Sequence, residues 1–212
     1  MTSARDVELA VDAGADAIGA IVSPSERRVA VAALPALLAA VPPYVTAVAV
    51  STGETDADLA ALAASGVLLQ FSGFETPERC ESLAGGRPYV KAFHLRPDEP
   101  LAFDAARFAA YPKALVLFDS SVAGAFGGTG TTFDWSLVAG FARARPIVMS
   151  GGLTADNVGA CVRALRPYAV DVRSGIETAG TKDAGKMRAF GRAVRDADAA
   201  LETVTVPAAP NV

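Results

Sequence analysis

Histidine is almost missing from this chain, with one residue, His94, in 212. Cysteine is scarce too: Cys80 and Cys161 are the only two, and the acids are scattered rather than grouped. No spacing fits a zinc centre, so no metal is expected. Two thiols make no disulfide framework. Both fall inside segments that read as helices, where a thiol behaves as a small core hydrophobe. Basic residues are also low, Lys+Arg 19 against Asp+Glu 23, for a net charge of -4 and a pI near 5.0. There is no run of Lys and Arg and only one Trp, which argues against a nucleic-acid partner. No apolar stretch approaches the ~20 residues of a membrane span. The opening residues, Met1-Thr2-Ser3-Ala4-Arg5-Asp6, lack the basic and then apolar pattern of a secretory signal. A cytoplasmic protein is expected.

What the chain does have is apolar content, 51% of residues, with a mean hydropathy of +0.32. That suits one domain near the lower size limit of a (βα)8 barrel. The expected domain covers residues 1–196, and residues 197–212, ending Pro207-Ala208-Ala209-Pro210-Asn211-Val212, read as a tail. Apolar runs that suit parallel strands fall at 15–22, 45–50, 67–71, 88–95, 114–118, 146–149 and 168–172. Helical patterns fall at 3–13, 31–40 and 56–65, from Thr76-Pro77, then at 103–111, 135–144, 154–165 and 183–196. Strict alternation with short loops means a parallel sheet. Seven strands against eight helices, helix first, give an α/β (βα)8 (TIM) barrel that lacks its first strand. A doubly wound sheet is the structural alternative.

In a barrel, chemistry collects at the carboxyl ends of strands. The run Ala114 to Phe118 ends in Asp119, followed by Gly127-Gly128-Thr129-Gly130. Leu115, Leu117 and Asp119 share one face of that strand, so Asp119 points into the mouth if the leucines point inward. Asp119 is the candidate acid, with a loop-capping role as the bland alternative. Gly128 and Gly130 are candidate substrate contacts. Two further strand ends are glycine-rich, Ser150-Gly151-Gly152 and Arg173-Ser174-Gly175. They follow the last two strands, where barrels bind phosphate through backbone N–H groups. Gly151, Gly152, Ser174 and Gly175 are therefore candidate phosphate contacts. Arg27 and Arg28, the one adjacent Arg pair, sit at a strand end; one of them can hold a carboxylate in bidentate fashion, or both are solvated. Asp171, between Val170 and Val172, needs a partner, and Arg27 across the mouth is one possibility. His94 also ends its strand at the mouth, where a structural histidine is the commoner role. Lys182-Asp183 reads as structural, and Asp134-Trp135 as a helix cap plus a core anchor.

Three long motifs resemble the phosphoribosylanthranilate isomerase family of tryptophan biosynthesis. They are Gly127-Gly128-Thr129-Gly130-x-Thr132-Phe133-Asp134-Trp135-Ser136, Ser150-Gly151-Gly152-Leu153-x-x-x-Asn157-Val158, and Val170-Asp171-Val172-x-Ser174-Gly175-Ile176-Glu177-x-x-Gly180-x-Lys182-Asp183. Shorter matches at Gly14-Ala15-Asp16-Ala17-Ile18-Gly19, Pro42-Pro43 and Val90-Lys91-Ala92 extend the likeness over nearly the whole chain. The resemblance implies a cofactor-free (βα)8 barrel, monomer or homodimer, that acts on a phosphorylated sugar. The implied reaction is an Amadori rearrangement. A general acid opens the ribose ring of N-(5-phosphoribosyl)anthranilate to a Schiff base, and a general base then removes the neighbouring carbon's proton. Asp119 matches the family's acid, Arg27 the arginine on the anthranilate carboxylate, and Gly152 with Ser174-Gly175 the phosphate loops.

The departures carry expectations of their own. The family's base is a cysteine in a Lys-x-Cys-Gly segment followed by a hydrophobic residue and Thr, with which Met1-Thr2 aligns. The first strand and the base are therefore expected to be missing from these residues, through a start codon set too far downstream or through real loss. The seven-strand sheet should then show open edges at 15–22 and 168–172. Gln70-Phe71-Ser72-Gly73-Phe74-Glu75 stands where the family has Gln-Leu-His-Gly-Asp/Glu-Glu, Thr131 replaces a Lys, and Arg173 replaces a Ser. Rival functions are another aminoaldose isomerase of the histidine or tryptophan type, and a non-catalytic phosphate-binding paralog.

Overall fold

Three helix starts are written in the sequence as a short polar side chain ahead of an apolar stripe. Ser3 accepts the Asp6 amide at 3.1 Å, and the Asp6 carboxylate accepts the Ser3 amide at 3.1 Å, a reciprocal box that opens α1 (Ala4–Asp12). Thr55 and Thr76 cap α3 (Asp56–Ala64) and α4 (Pro77–Leu83) through the amides of Asp58 and Arg79. Such caps contribute about 1 kcal/mol each. The computed structural model describes residues 1–95, 105–119 and 134–204. Its strands are β1 (Ala17–Ile21), β2 (Thr46–Ser51), β3 (Leu68–Phe71), β4 (Tyr89–His94), β5 (Ala114–Asp119), β6 (Ile147–Ser150) and β7 (Ala169–Val170). The remaining helices in this alternation are α2 (Leu34–Leu38), α5 (Ala105–Ala109), α6 (Ser136–Ala144) and α7 (Val158–Leu165). A hairpin, β8 (Glu177–Thr178) and β9 (Thr181–Lys182), precedes the last helix, α8 (Ala184–Val204).

The seven strands form one parallel sheet in the order β1-β2-β3-β4-β5-β6-β7. Consecutive neighbours throughout, with no reversal of order, exclude the doubly wound alternative, which requires a switch point. Period-2 alternation sorts the side chains into two layers. Val90, Ala92, Leu117 and Val148 cluster on the inner face with Leu68, Leu115 and Ala169. Val116, Phe118, Phe93 and Phe71 face the helices. There Phe108 meets Phe93 and Phe118 edge-on at 4.8 and 5.2 Å between ring centroids. Such pairs add about 0.5–1.5 kcal/mol beyond their buried area.

Among the described residues, β1 and β7 are the ends of the sheet and form no ladder with each other. The outer edge of β1 is partly covered. Met1 donates its nitrogen to the Gly19 carbonyl, and Val29 donates to the Ile21 carbonyl at 2.8 Å. The sheet is thus a curled, open barrel, as the strand count anticipated.

Several boundaries differ from the pattern reading. The helix expected at 154–165 starts at Val158, with Asn157 rather than Thr154 at its cap position. Residues 31–40 split into a 3-10 turn (Val31–Ala33) and the short α2, which closes with i→i+3 bonds from Ala40 to Leu37 and from Val41 to Leu38 ahead of Pro42. The strand expected at 168–172 narrows to Ala169–Val170. The β8–β9 hairpin went unseen because its turn, Ala179 (φ 50°) and Gly180 (φ 78°), has no Asn-Gly or Asp-Gly signature. The last helix does not stop near Asp196. It runs to Val204, since Ala197 is buried and Leu201 packs on the core. The tail expected at 197–212 is therefore helical at its start, and its last eight residues lie outside the described part.

Among the described residues, one outward charged side chain breaks the apolar rule. Lys91 of β4 is buried and pairs with Glu75 at 2.8 Å, and also donates to the Gly73 carbonyl at 2.7 Å. The Gly73 amide donates to the same Glu75 oxygen at 3.1 Å, and the Tyr111 hydroxyl donates to the Glu75 backbone carbonyl at 2.8 Å. This pair ties the loop after β3 to β4 and to the segment after α5.

Candidate active site

Because Leu115 and Leu117 face inward, Asp119 comes out at the mouth of the sheet. Register puts it beside His94 on one side and Ser150 on the other. The Asp119 carboxylate is about a quarter exposed, and its Oδ2 lies 3.6 Å from His94 Nδ1. The other imidazole nitrogen, Nε2, lies 3.0 Å from the Ser72 carbonyl. A carbonyl only accepts, so Nε2 carries a proton. The Asp119 carboxylate beside it pushes the imidazole above its ordinary value. Burial pulls it back, the Ser72 carbonyl raises it, and the Lys91 charge lowers it.

Asp171 sits just past the end of β7, where the Ser150 hydroxyl donates to it at 2.9 Å. Crowding by the walls of the mouth pushes its carboxyl up, and the Asp119 charge adds to this. The Ser150 hydrogen bond and the charges of Arg173 and Lys182 oppose the rise. More than a third of the residue surface is nonetheless open to water. The surrounding protein therefore acts on a solvated group. Arg173 is exposed, yet near enough for its charge to reach Asp171.

The last two strand ends meet as one surface. Gly151 and Gly152, at φ 82° and 63°, turn the chain sharply after β6. Asn157 fixes the turn by donating to the Gly152 carbonyl at 2.9 Å and accepting the Thr154 amide at 2.8 Å. Ser174 and Gly175 form a 3-10 turn against it. A Cβ on Gly175 would lie 1.9 Å from the Leu153 carbonyl oxygen, so no side chain fits there.

Arg27 and Asp171 do not pair. Arg27 reaches Glu177 instead, with Nε to Oε1 at 3.1 Å and Nη2 to Oε2 at 2.7 Å. Lys182 holds the same carboxylate at 2.9 Å and donates to the Arg173 carbonyl at 3.0 Å. The expected Arg27–Asp171 contact fails because the β8–β9 hairpin brings Glu177 forward, and a buried carboxylate draws the nearest fork-shaped donor. Lys182 is thus a charge on this network as well as a helix-start residue. Burial pushes Glu177 up, but the Arg27 and Lys182 hydrogen bonds and charges outweigh it and hold the carboxyl below the ordinary value. A depressed native pKa gives stability that is present above the unfolded value of about 4.3 and fades as the pH falls through the native one. Glu177→Gln is expected to destabilise the protein at pH 7, with the difference from the parent shrinking below about pH 4. Urea midpoints measured at both pH values check this.

Composition gave no signal for Glu177 or for a second cluster at the end of β2. There the Ser23 and Ser51 hydroxyls donate to Glu54, Ser23 at 2.6 Å, and the Thr52 amide donates to Ser23 at 2.6 Å. Gly128 and Gly130 lie outside the described residues. Cys80 and Cys161 are buried on α4 and α7, and burial pushes each thiol up to about 12.

A family model for N-(5'-phosphoribosyl)anthranilate (PRA) isomerase matches residues 1–193. The chain belongs to this isomerase family. The N-(5'-phosphoribosyl)anthranilate isomerase of Pseudomonas fluorescens is 43% identical over 208 residues, covering 95% of each chain. The crystal structure of the phosphoribosyl anthranilate isomerase of Thermotoga maritima superposes with a TM-score of 0.82 at 31% identity, covering 92% of this chain and 96% of that one. Another phosphoribosyl anthranilate isomerase, solved with reduced 1-(o-carboxyphenylamino)-1-deoxyribulose 5-phosphate, gives a TM-score of 0.78 at 29% identity, covering 92% and 95%. Within the isomerase family frame, the mouth formed by β4, β5, β6 and the loop after β7 is the candidate active site.

Proposed function

We propose that this chain isomerises N-(5-phosphoribosyl)anthranilate to 1-(2-carboxyphenylamino)-1-deoxyribulose 5-phosphate, a step of tryptophan biosynthesis. It does so in the cytoplasm, as a monomer or homodimer of one barrel domain, without a cofactor. The observation that carries this is Asp119, inward-facing and beside two glycine loops packed on each other. The glycine turns at Gly151-Gly152 and Ser174-Gly175 hold the phosphate through backbone N–H groups. Asp119 gives its proton to the ribose ring oxygen as the bond from that oxygen to the anomeric carbon breaks. The oxygen keeps the bond's electron pair, and the anilino nitrogen's lone pair forms the C=N bond. A base then takes the proton from the neighbouring carbon, and the electrons move into an enolamine that becomes the ketose. Arg27 binds the anthranilate carboxylate with the guanidinium N–H groups that Glu177 leaves over. Asp171, hydrogen-bonded to Ser150, faces the substrate from the opposite side of Asp119.

Neither thiol can be the base. Both are buried on outer helices and held at about 12. A polypeptide of these 212 residues therefore turns over about 10²–10⁴-fold more slowly than one with a poised base. Product formation assayed at high enzyme concentration tests the proposal. Slow turnover above the uncatalysed rate is expected, and none at any enzyme concentration contradicts it. The same inert thiols favour one alternative, a phosphate-ligand-binding paralog. Saturable binding of the reduced product analogue with no turnover is its signature.

A further inference from the structure

The single histidine is used by nothing in the reaction as written above, yet it stands next to the acid. Groups from two neighbouring strand ends flank its ring. Nε2 lies 3.0 Å from the Ser72 carbonyl beyond β3, and Nδ1 lies 3.6 Å from Asp119 Oδ2 on β5. The first contact decides the tautomer, since a carbonyl cannot donate and Nε2 must carry hydrogen. The neutral ring therefore turns a bare Nδ1 lone pair toward the carboxyl group. Two arrangements of one proton satisfy this geometry: neutral imidazole facing a protonated Asp119, or imidazolium facing a carboxylate. A pair coupled this closely titrates as a unit. The ring is about half exposed, so the mouth gives it access to water.

We propose that His94 is a positioning residue for the acid: anchored by the Ser72 carbonyl, it holds one shared proton against Asp119 and reloads the carboxylate after each ring opening. This deepens the isomerase reading and rests on Asp119 being its acid. The proton balance is simple. Asp119 passes the shared proton to the ring oxygen, which leaves an aspartate carboxylate facing a neutral imidazole. A proton from solvent then enters the mouth onto Nδ1, and the imidazolium so formed shares it with the Asp119 carboxylate again. A lone aspartate holds few protons at neutral pH, and this arrangement keeps one in place.

The charges that face the ring bear on the direction. Asp119 comes from β5. Lys91 comes from the same strand as His94 but points outward, and the Glu75 carboxylate from the loop after β3 neutralises it. Asp171, beyond β7, acts on the pair through Asp119. Arg107 of α5 lies over the Phe93 ring at 5.3 Å, in the outer layer.

With one histidine in the chain, its ring resonances are unambiguous. An NMR titration of the 212-residue protein is expected to place the imidazole midpoint above about 6.5. Ring nitrogen shifts should show the Nε2-protonated tautomer at high pH. In Asp119→Asn, the midpoint should fall by roughly a unit. A midpoint unmoved by Asp119→Asn overturns the proposal. If that variant does not fold, the parent decides alone: an Nδ1-protonated neutral tautomer, or a midpoint at or below about 6.5, overturns it. In turnover, His94→Gln should leave KM within about threefold and move the alkaline limb of kcat to lower pH, costing roughly tenfold near pH 8. A parent-like profile overturns the proposal. Because the titration needs no turnover, its result stands apart from the isomerase assignment, which Asp119→Ala tests separately.

Discussion

Alanine at Asp119 is expected to lower isomerase turnover by about 10²–10⁴-fold. KM should move far less, because the carboxyl group protonates the ring oxygen as the bond breaks while the phosphate and anthranilate ends hold the ground state. Removing a negative charge from a mouth that must accept a phosphate and a carboxylate should, if anything, tighten binding of the reduced product analogue. The same substitution frees Asp171 from the Asp119 charge, which adds to the raising of its pKa. Steady-state rates and analogue affinity measured on parent and variant separate the two effects. Full activity in Asp119→Ala removes it as the acid.

The second large effect is on stability. Lys91→Met leaves the Glu75 carboxylate buried with one backbone amide as donor, in a site where Oε1 already has no hydrogen-bond partner among the described residues. Removing one member of a buried ion pair costs about 3–5 kcal/mol. That is a large share of the ~5–15 kcal/mol that holds a domain of this kind together. Replacing both partners should be milder. The double variant Lys91→Met/Glu75→Gln is expected to recover part of the loss, because no uncompensated charge stays buried. Urea unfolding of the parent, the single variant and the double variant measures this. A single variant within 1 kcal/mol of the parent contradicts a buried, coupled pair.

Much of the architecture was legible in the chain because parallel strands flanked by helices leave a strong mark. The apolar runs, the Thr-Pro helix start at 76–77 and the glycine stops marked β1 to β7 in order. Alternation at Leu115, Leu117 and Asp119 placed the Asp119 side chain at the mouth, and the inner cluster around Leu117 agrees with that position. What the chain hid was contact over long sequence distance. Arg27 and Glu177 are 150 residues apart, and nothing in either neighbourhood names the other. The sequence suggested Asp171 as a partner for Arg27 because both lie at strand ends, but the hairpin that brings Glu177 forward turns on an Ala-Gly pair with little signal. Lys91 read as one residue of an apolar strand, while its partner lay in the loop after the preceding strand. His94 and Asp119 were both visible as strand ends. Their pairing needed the register that sets β4 beside β5.

The most direct test of the central claim is calorimetric titration of the 212-residue protein with the reduced product analogue and with the same compound lacking its phosphate. Saturable binding at one site, weakened strongly when the phosphate is removed and lost in Gly175→Ala, where a Cβ would strike the Leu153 carbonyl, is the expected result. Equal affinity for the two compounds, or no binding of either, contradicts a phosphoribosylanthranilate site at this mouth.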